Sequence, residues 1–109
     1  MEIPRRARVA DVLAVASYLW VLPAAQIRGE QRNRRYLAPR FAVCLVSSEQ
    51  GHSYPMIGRV MGRDHSSVIH AARRAREMMA RDPQYAHMVE RLRLLSSIAK
   101  PFVADRIAA

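Results

Sequence analysis

The sequence predicts an all-α fold, a small helical bundle, and three observations predict it. The apolar supply is mostly Ala, Val, Leu, Ile and Met, with aromatic residues only 6% of the chain. Apart from Val and Ile, these suit helix interiors better than strands. Apolar residues recur at helical spacing along several segments. Ser53, Asp64 and Asp82 stand where helices would begin, and Pro55 and Pro83 follow two of them closely, as in a capped first turn. A length of 109 residues, 50% of them hydrophobic, suits one domain with one core.

Taken in order, residues 1–8 are basic and contain Pro4, so a flexible basic arm is expected there. The domain proper is expected over 9–98, with a C-terminal extension over 99–109. Val9, Val12, Leu13, Ala16 and Trp20 give helical spacing over 9–21, and Asp11 favours the positive end of that helix dipole. Leu22-Pro23 breaks the helix, and 23–27 has room for a single short turn. Residues 28–35 are polar, four Arg offset by Glu30. A helix is expected over 36–48, starting around Pro39, with Leu37, Phe41, Cys44 and Leu45 on one face. Gly51 lies in the loop after it. Ser53 caps a short helix over 56–61, and Asp64 caps one running to about Arg81. Asp82 and Pro83 then open a helix over 84–98, and Pro101 opens a short terminal helix over 102–107. No repeat, low-complexity tract or linker divides the chain.

Charge narrows the function. Cations outnumber anions 18 to 9, and every cation but Lys100 is an arginine. A GC-rich genome would explain the preference for Arg over Lys, but not the net +9. Such an excess is the electrostatic footprint of a nucleic-acid binder, with an anionic membrane surface as the competitor. Cys44 is the lone cysteine, so no internal disulfide can form, and its apolar neighbours make it a small buried hydrophobe. The longest apolar stretch, 12–25, is interrupted by Ser17 and Pro23 and is too short to span a bilayer. No signal peptide is visible, so a cytoplasmic, nucleoid-associated location is expected.

Residues 53–72, SYPMIGRVMGRDHSSVIHAA, read as helix, tight turn, helix, with the turn at Met61-Gly62-Arg63. That is the layout of a helix-turn-helix. On a helical wheel of the second helix, Val68, Ala71, Ala72, Ala75 and Met79 gather on one side. Ser66, His70, Arg73 and Glu77 fall opposite, flanked by Ser67 and Arg74. Hydroxyls, imidazole and guanidinium can donate to base edges and phosphates. The plainer alternative is a solvated helix face. The Gly turn, the short preceding helix and the net charge favour the groove.

Enzyme chemistry finds little support. His65 and His70 are five apart and do not share a face as metal ligands would, and there is no second Cys or His-Glu-x-x-His pattern. Gly58 and Gly62 make no phosphate-binding loop. Groove contact explains Ser66 and Ser67 better than catalysis does. No enzyme activity, metal or cofactor is expected.

The run 57–71, IGRVMGRDHSSVIHA, closely resembles the signature of the C-terminal DNA-binding domain of the bacterial replication initiator DnaA. Pro39-Arg40 before an apolar helix, and the basic segment 32–35, resemble that domain's long helix and basic loop. The similarity covers roughly residues 9–95. It implies a helical arrangement like that of the Trp repressor and binding, as a monomer, to short, asymmetric, AT-rich boxes in double-stranded DNA. It implies that Asp64, His65, Ser66 and Ser67 read bases in the major groove and that Arg32 reaches into the minor groove. Arg40, Pro55 and Arg74 then lie at or beside the DNA backbone. The polar side of the helical wheel adds His70 and Arg73 to the expected DNA-binding residues. Departures from the family pattern are a shorter loop before Ser53, a turn lacking a second Gly before Arg63, Ser47 and Ser48 where a backbone-contacting lysine is usual, and Tyr54 for Leu.

The family's initiators carry an ATPase domain, and nothing in this sequence resembles one. Its own Met1 and the tail 100–109 fit a complete small protein somewhat better than an excised domain. The expected function is sequence-specific duplex binding that modulates replication initiation or transcription, with the full-length initiator as a candidate partner. Three alternatives stand beside it. One is a dimeric, ligand-responsive repressor. Another is an interaction module docking through Leu19, Trp20, Val21 and Leu22. The third is a membrane-surface role.

Overall fold

The computed structural model describes residues 7–98. The expected terminal helix over 102–107 lies outside them, as do residues 1–6 of the expected arm. Among the described residues the chain forms six helices and no strand.

The first helix, α1 (Val9–Trp20), starts one residue after Arg8, whose backbone N–H and guanidinium donate to the Asp11 carboxylate at 2.9–3.1 Å. A buried carboxylate is tolerated only when paired in this way, and Asp11 is 2% exposed. Ala7 is buried too, and its carbonyl accepts from His52 Nε2 at 2.7 Å. Ala7 and Arg8, expected in the arm, are thus built into the bundle. Val21 ends α1 in the left-handed region, at φ 53°. A five-residue helix, α2 (Ala24–Arg28), follows Pro23 and buries Ile27.

The central helix is α3 (Arg34–Glu49), which packs against all five others. It begins two residues before its expected start, because the Asn33 side chain accepts from the Arg35 N–H at 3.1 Å and fixes the first turn. Pro39 therefore sits inside the helix rather than at its start. It cannot donate to the Arg35 carbonyl four residues back. Burial of Ala38, Pro39 and Arg40 and continuous burial from Ala42 to Ser47 hold the helix around it.

The remaining helices start where their caps predict. Ser53 Oγ accepts from the Met56 N–H at 3.2 Å and opens α4 (Tyr54–Met61). Asp64 accepts from the Ser67 N–H at 2.8 Å and opens α5 (His65–Arg81). Asp82 accepts from the Tyr85 N–H at 3.1 Å and opens α6 (Pro83–Ile98). Ile27, Leu45, Ile57, Met61 and Leu92 are fully buried in the common core. Each such side chain is worth about 1.5–3 kcal/mol.

α6 closes the bundle at both ends. The Tyr85 hydroxyl donates to the Ala38 carbonyl at 2.6 Å, and its ring tilts against Trp20. At the other end Arg93 forks onto Glu49 of α3 at 2.8 and 2.9 Å and also pairs with Glu90. Among the described residues, no helix is long and apolar enough to cross a membrane.

Candidate nucleic-acid interface

The joint between α4 and α5 is set by two glycines with different duties. Gly62 takes φ +70°, and its N–H donates back to the Gly58 carbonyl. Only a residue without Cβ adopts that conformation without cost. Gly58 is needed for space: a Cβ there would stand 2.2 Å from the Arg63 carbonyl oxygen. The Arg63 N–H in turn donates to the Gly58 carbonyl at 2.8 Å. The two segments of the motif touch backbone to backbone.

The Arg63 side chain braces this turn from outside. Nη1 donates to the carbonyls of Arg28 and Met61, each at 2.8 Å, and Nη2 donates to the Gly29 carbonyl. A guanidinium at the end of α2 satisfies carbonyls that the helix leaves unpaired and suits the negative end of its dipole. The turn is thereby tied to the α2–α3 connection, which carries Arg32. Sequence reasoning placed Arg63 only in the turn. Two of its three partners lie 34 and 35 residues upstream, and no local pattern signals them.

α5 presents the outer face. Val68, Ala71, Ala72, Ala75 and Met78 are buried under it. Met78 takes the place expected for Met79, which is only partly buried. Asp64, His65, Ser66, Ser67, His70, Arg73 and Arg74 are all exposed. Accepting the Ser67 N–H holds the Asp64 carboxyl below the usual carboxylate range. The Asp64 carboxylate thus serves the cap, with the Ser67 hydroxyl, which also turns back to it, and the Ser66 backbone adding to the Ser67 N–H.

Beside α5 runs an open groove of about 910 Å³, walled on the other side by α3 and the segment before it. Arg32, Arg40, Asp64, Ser66, Ser67, His70 and Arg74 all line it. The structure thus brings together most of the expected site. His65 and Arg73 lie on the exposed face of α5 outside the groove, and Pro55 is exposed in the first turn of α4. The groove also includes Glu30, Leu37, Phe41, Arg63 and Ala71, which sequence reasoning had assigned to loop, turn or core.

Arg40 differs from the expected surface contact. It is 4% exposed, and its Nε donates to the Ile27 carbonyl at 2.7 Å. One terminal nitrogen, Nη2, is buried with no hydrogen-bond partner. Burial, then the like charge of Arg63, lowers its pKa from the ordinary value. Arg63 adds a second fixed positive charge to the same groove. Among the described residues no group of three or more His, Cys, Asp or Glu gathers to hold a metal.

A helical bundle with a glycine-jointed two-helix motif, a capped second helix and arginines along one groove defines a helix-turn-helix DNA-binding domain. The family described as the bacterial DnaA protein helix-turn-helix matches residues 9–75, and the chain belongs to that family. The chain is 42% identical over 94 residues to the chromosomal replication initiator protein DnaA of Deinococcus radiodurans, covering 83% of this chain and 20% of that protein. It is 36% identical over 89 residues to the protein of the same name from Deinococcus deserti, covering 81% and 20%. For the one from Rhizobium meliloti the identity is 33% over 94 residues, covering 84% and 20%. The chain spans about one fifth of the length of these relatives.

Proposed function

We propose that this chain binds duplex DNA at asymmetric, AT-rich boxes of the kind the initiator family reads, as a monomer and without ATPase activity. Through such sites it modulates replication initiation or transcription, with the full-length initiator as a partner or competitor, in the cytoplasm at the nucleoid. One observation carries this reading. Seven residues assigned to DNA from the sequence, Arg32, Arg40, Asp64, Ser66, Ser67, His70 and Arg74, converge on one groove although they come from three separate segments.

The roles follow from chemistry. α5 enters the major groove by its N-terminal turns, where Asp64, His65, Ser66 and Ser67 meet base edges and His70 extends the contact. Arg32 reaches from the α2–α3 connection into the adjacent narrow minor groove, whose negative potential attracts an inserted Arg. Arg73, Arg74 and the first turn of α4 at Pro55 meet phosphates. Arg40 and Arg63, fixed by carbonyls, hold positive potential at the groove without leaving the fold.

Selection of bound sequences from random duplexes tests this. Enrichment of one asymmetric, AT-rich box supports it. A palindrome together with a concentration-dependent dimer supports the repressor reading instead, and absence of any enriched site overturns sequence-specific binding.

A further inference from the structure

Next to the recognition groove lies a second hollow of about 390 Å³, where the end of α5 meets the start of α6 and the first residue of α3. Arg34, Arg74 and Arg81 line it, together with Glu77 and Asp82. Arg74 belongs to both hollows, so the basic track runs without a break from one into the other.

The two acids are bound differently. Asp82 is fixed: one oxygen caps α6 by accepting the Tyr85 N–H, and the other accepts from Arg34 Nη2. It therefore orients Arg34 toward the hollow. Among the described residues Glu77 has a single partner, Arg74 Nη1 at 2.7 Å, and both side chains of that pair are about 45% exposed. An exposed pair one helical turn apart is weak and exchangeable. Arg81 has no carboxylate partner among the described residues. Three forks against two carboxylates leave one net positive charge, and most of the fifteen or so N–H donors on three guanidinium groups stay uncommitted.

We propose that this hollow is a second phosphate seat, in which Arg34, Arg74 and Arg81 receive the DNA backbone beyond the recognition groove and Glu77 holds the seat partly closed. It rests on the reading of the chain as a duplex binder. In the free protein Arg74 is occupied by Glu77. A phosphodiester entering the seat takes over that fork, because a phosphate oxygen accepts the same bidentate geometry as a carboxylate. Glu77 is then left beside an anion, so it opposes binding to any duplex regardless of sequence. Phosphate contacts carry no sequence information, so the seat governs affinity and salt dependence rather than the choice of box.

The test uses the full chain, with Glu77→Gln and Arg81→Ala variants titrated against the selected box and against random duplex over a range of salt. Glu77→Gln should tighten binding to both duplexes about three- to tenfold and steepen the slope of log K against log salt. Arg81→Ala should weaken both severalfold and make that slope shallower by about one unit. In an Arg74→Ala background the gain from Glu77→Gln should shrink, because no Arg74 fork is left for Glu77 to occupy. If wild type binds duplex steeply with salt but Glu77→Gln binds no tighter, or Arg81→Ala binds equally well, the seat is refuted while the DNA-binding reading stands. If wild type binds no duplex, both fall. Melting curves confirm that the variants are folded, as expected for exposed positions.

Discussion

The carbonyl oxygen of Arg63 lies 2.2 Å from where a Cβ on Gly58 would stand, so α4 and the residue that leads into α5 share space that no side chain can enter. Gly58 sits inside α4, where Ala is normally preferred by about 1 kcal/mol. Its presence there follows from the return of the chain, and it fixes how closely α5 approaches α4.

Gly58→Ala is therefore expected to destabilise the fold by about 1–3 kcal/mol, the range for an overpacked site, with any gain in helix propensity outweighed. Gly62→Ala meets no atom within 4 Å, and its cost comes from the left-handed backbone alone, about 1–2 kcal/mol. Denaturant unfolding measures both. The distinguishing result is in binding: at temperatures where both variants are folded, Gly58→Ala should lose more affinity for the box, because it shifts α5 relative to α4.

Val21→Gly should stabilise the protein. Val21 is 81% exposed and takes φ 53°, so its branched side chain buries little and strains the backbone. Relief of about 1–2 kcal/mol against about 0.5–1 kcal/mol of added unfolded-chain entropy leaves a net gain between about 0 and 1.5 kcal/mol. The midpoint of chemical denaturation should rise.

Cys44 should be silent to thiol reagents until the protein unfolds. It is completely buried, and burial pushes its thiol up to about 12. A folded pKa above the unfolded one favours the fold fully below the unfolded value, and this contribution is lost as pH rises through about 12. Alkylation at pH around 8 should be negligible in the folded protein and proceed at the rate of global unfolding. Fast labelling would mean that α3 is not packed as described.

The Asp64 cap has the opposite sign. Its pKa is held down by the Ser67 N–H, so its contribution is complete above the ordinary carboxylate range and is lost as pH falls through the lowered value. Asp64→Asn keeps a cap oxygen and should remove this acid dependence of the α5 N-terminus, read from the pH dependence of unfolding.

The caps explain how much of this architecture was legible in the sequence. Ser53, Asp64 and Asp82 each accept the N–H expected of them, so the starts of the motif and of α6 follow from local chemistry. The start of α3 was obscured because Arg34 and Arg35 look like more of the charged loop, while Asn33, a good cap, lies among them. Pro39 misled for the same reason: proline marks a helix start only when nothing upstream has already started one. The exposed side of α5 was readable from its period. The groove was not, because its opposite wall of Glu30, Leu37 and Phe41 is formed by packing of distant segments. The burial of Arg40 and the bracing role of Arg63 likewise depend on carbonyls 13 and 34–35 residues away.

The central claim is that α5 reads sequence, and the most direct measurement is the ratio of affinities for the selected box and for random duplex in Ser66→Ala, His65→Ala and Arg74→Ala. Ser66→Ala and His65→Ala should each cost about 1–3 kcal/mol on the box and far less on random DNA, because each removes a base-edge contact. Arg74→Ala should weaken both duplexes by similar factors and leave the ratio unchanged. Equal losses on both duplexes for all three variants would contradict the account, since α5 would then hold DNA without reading it.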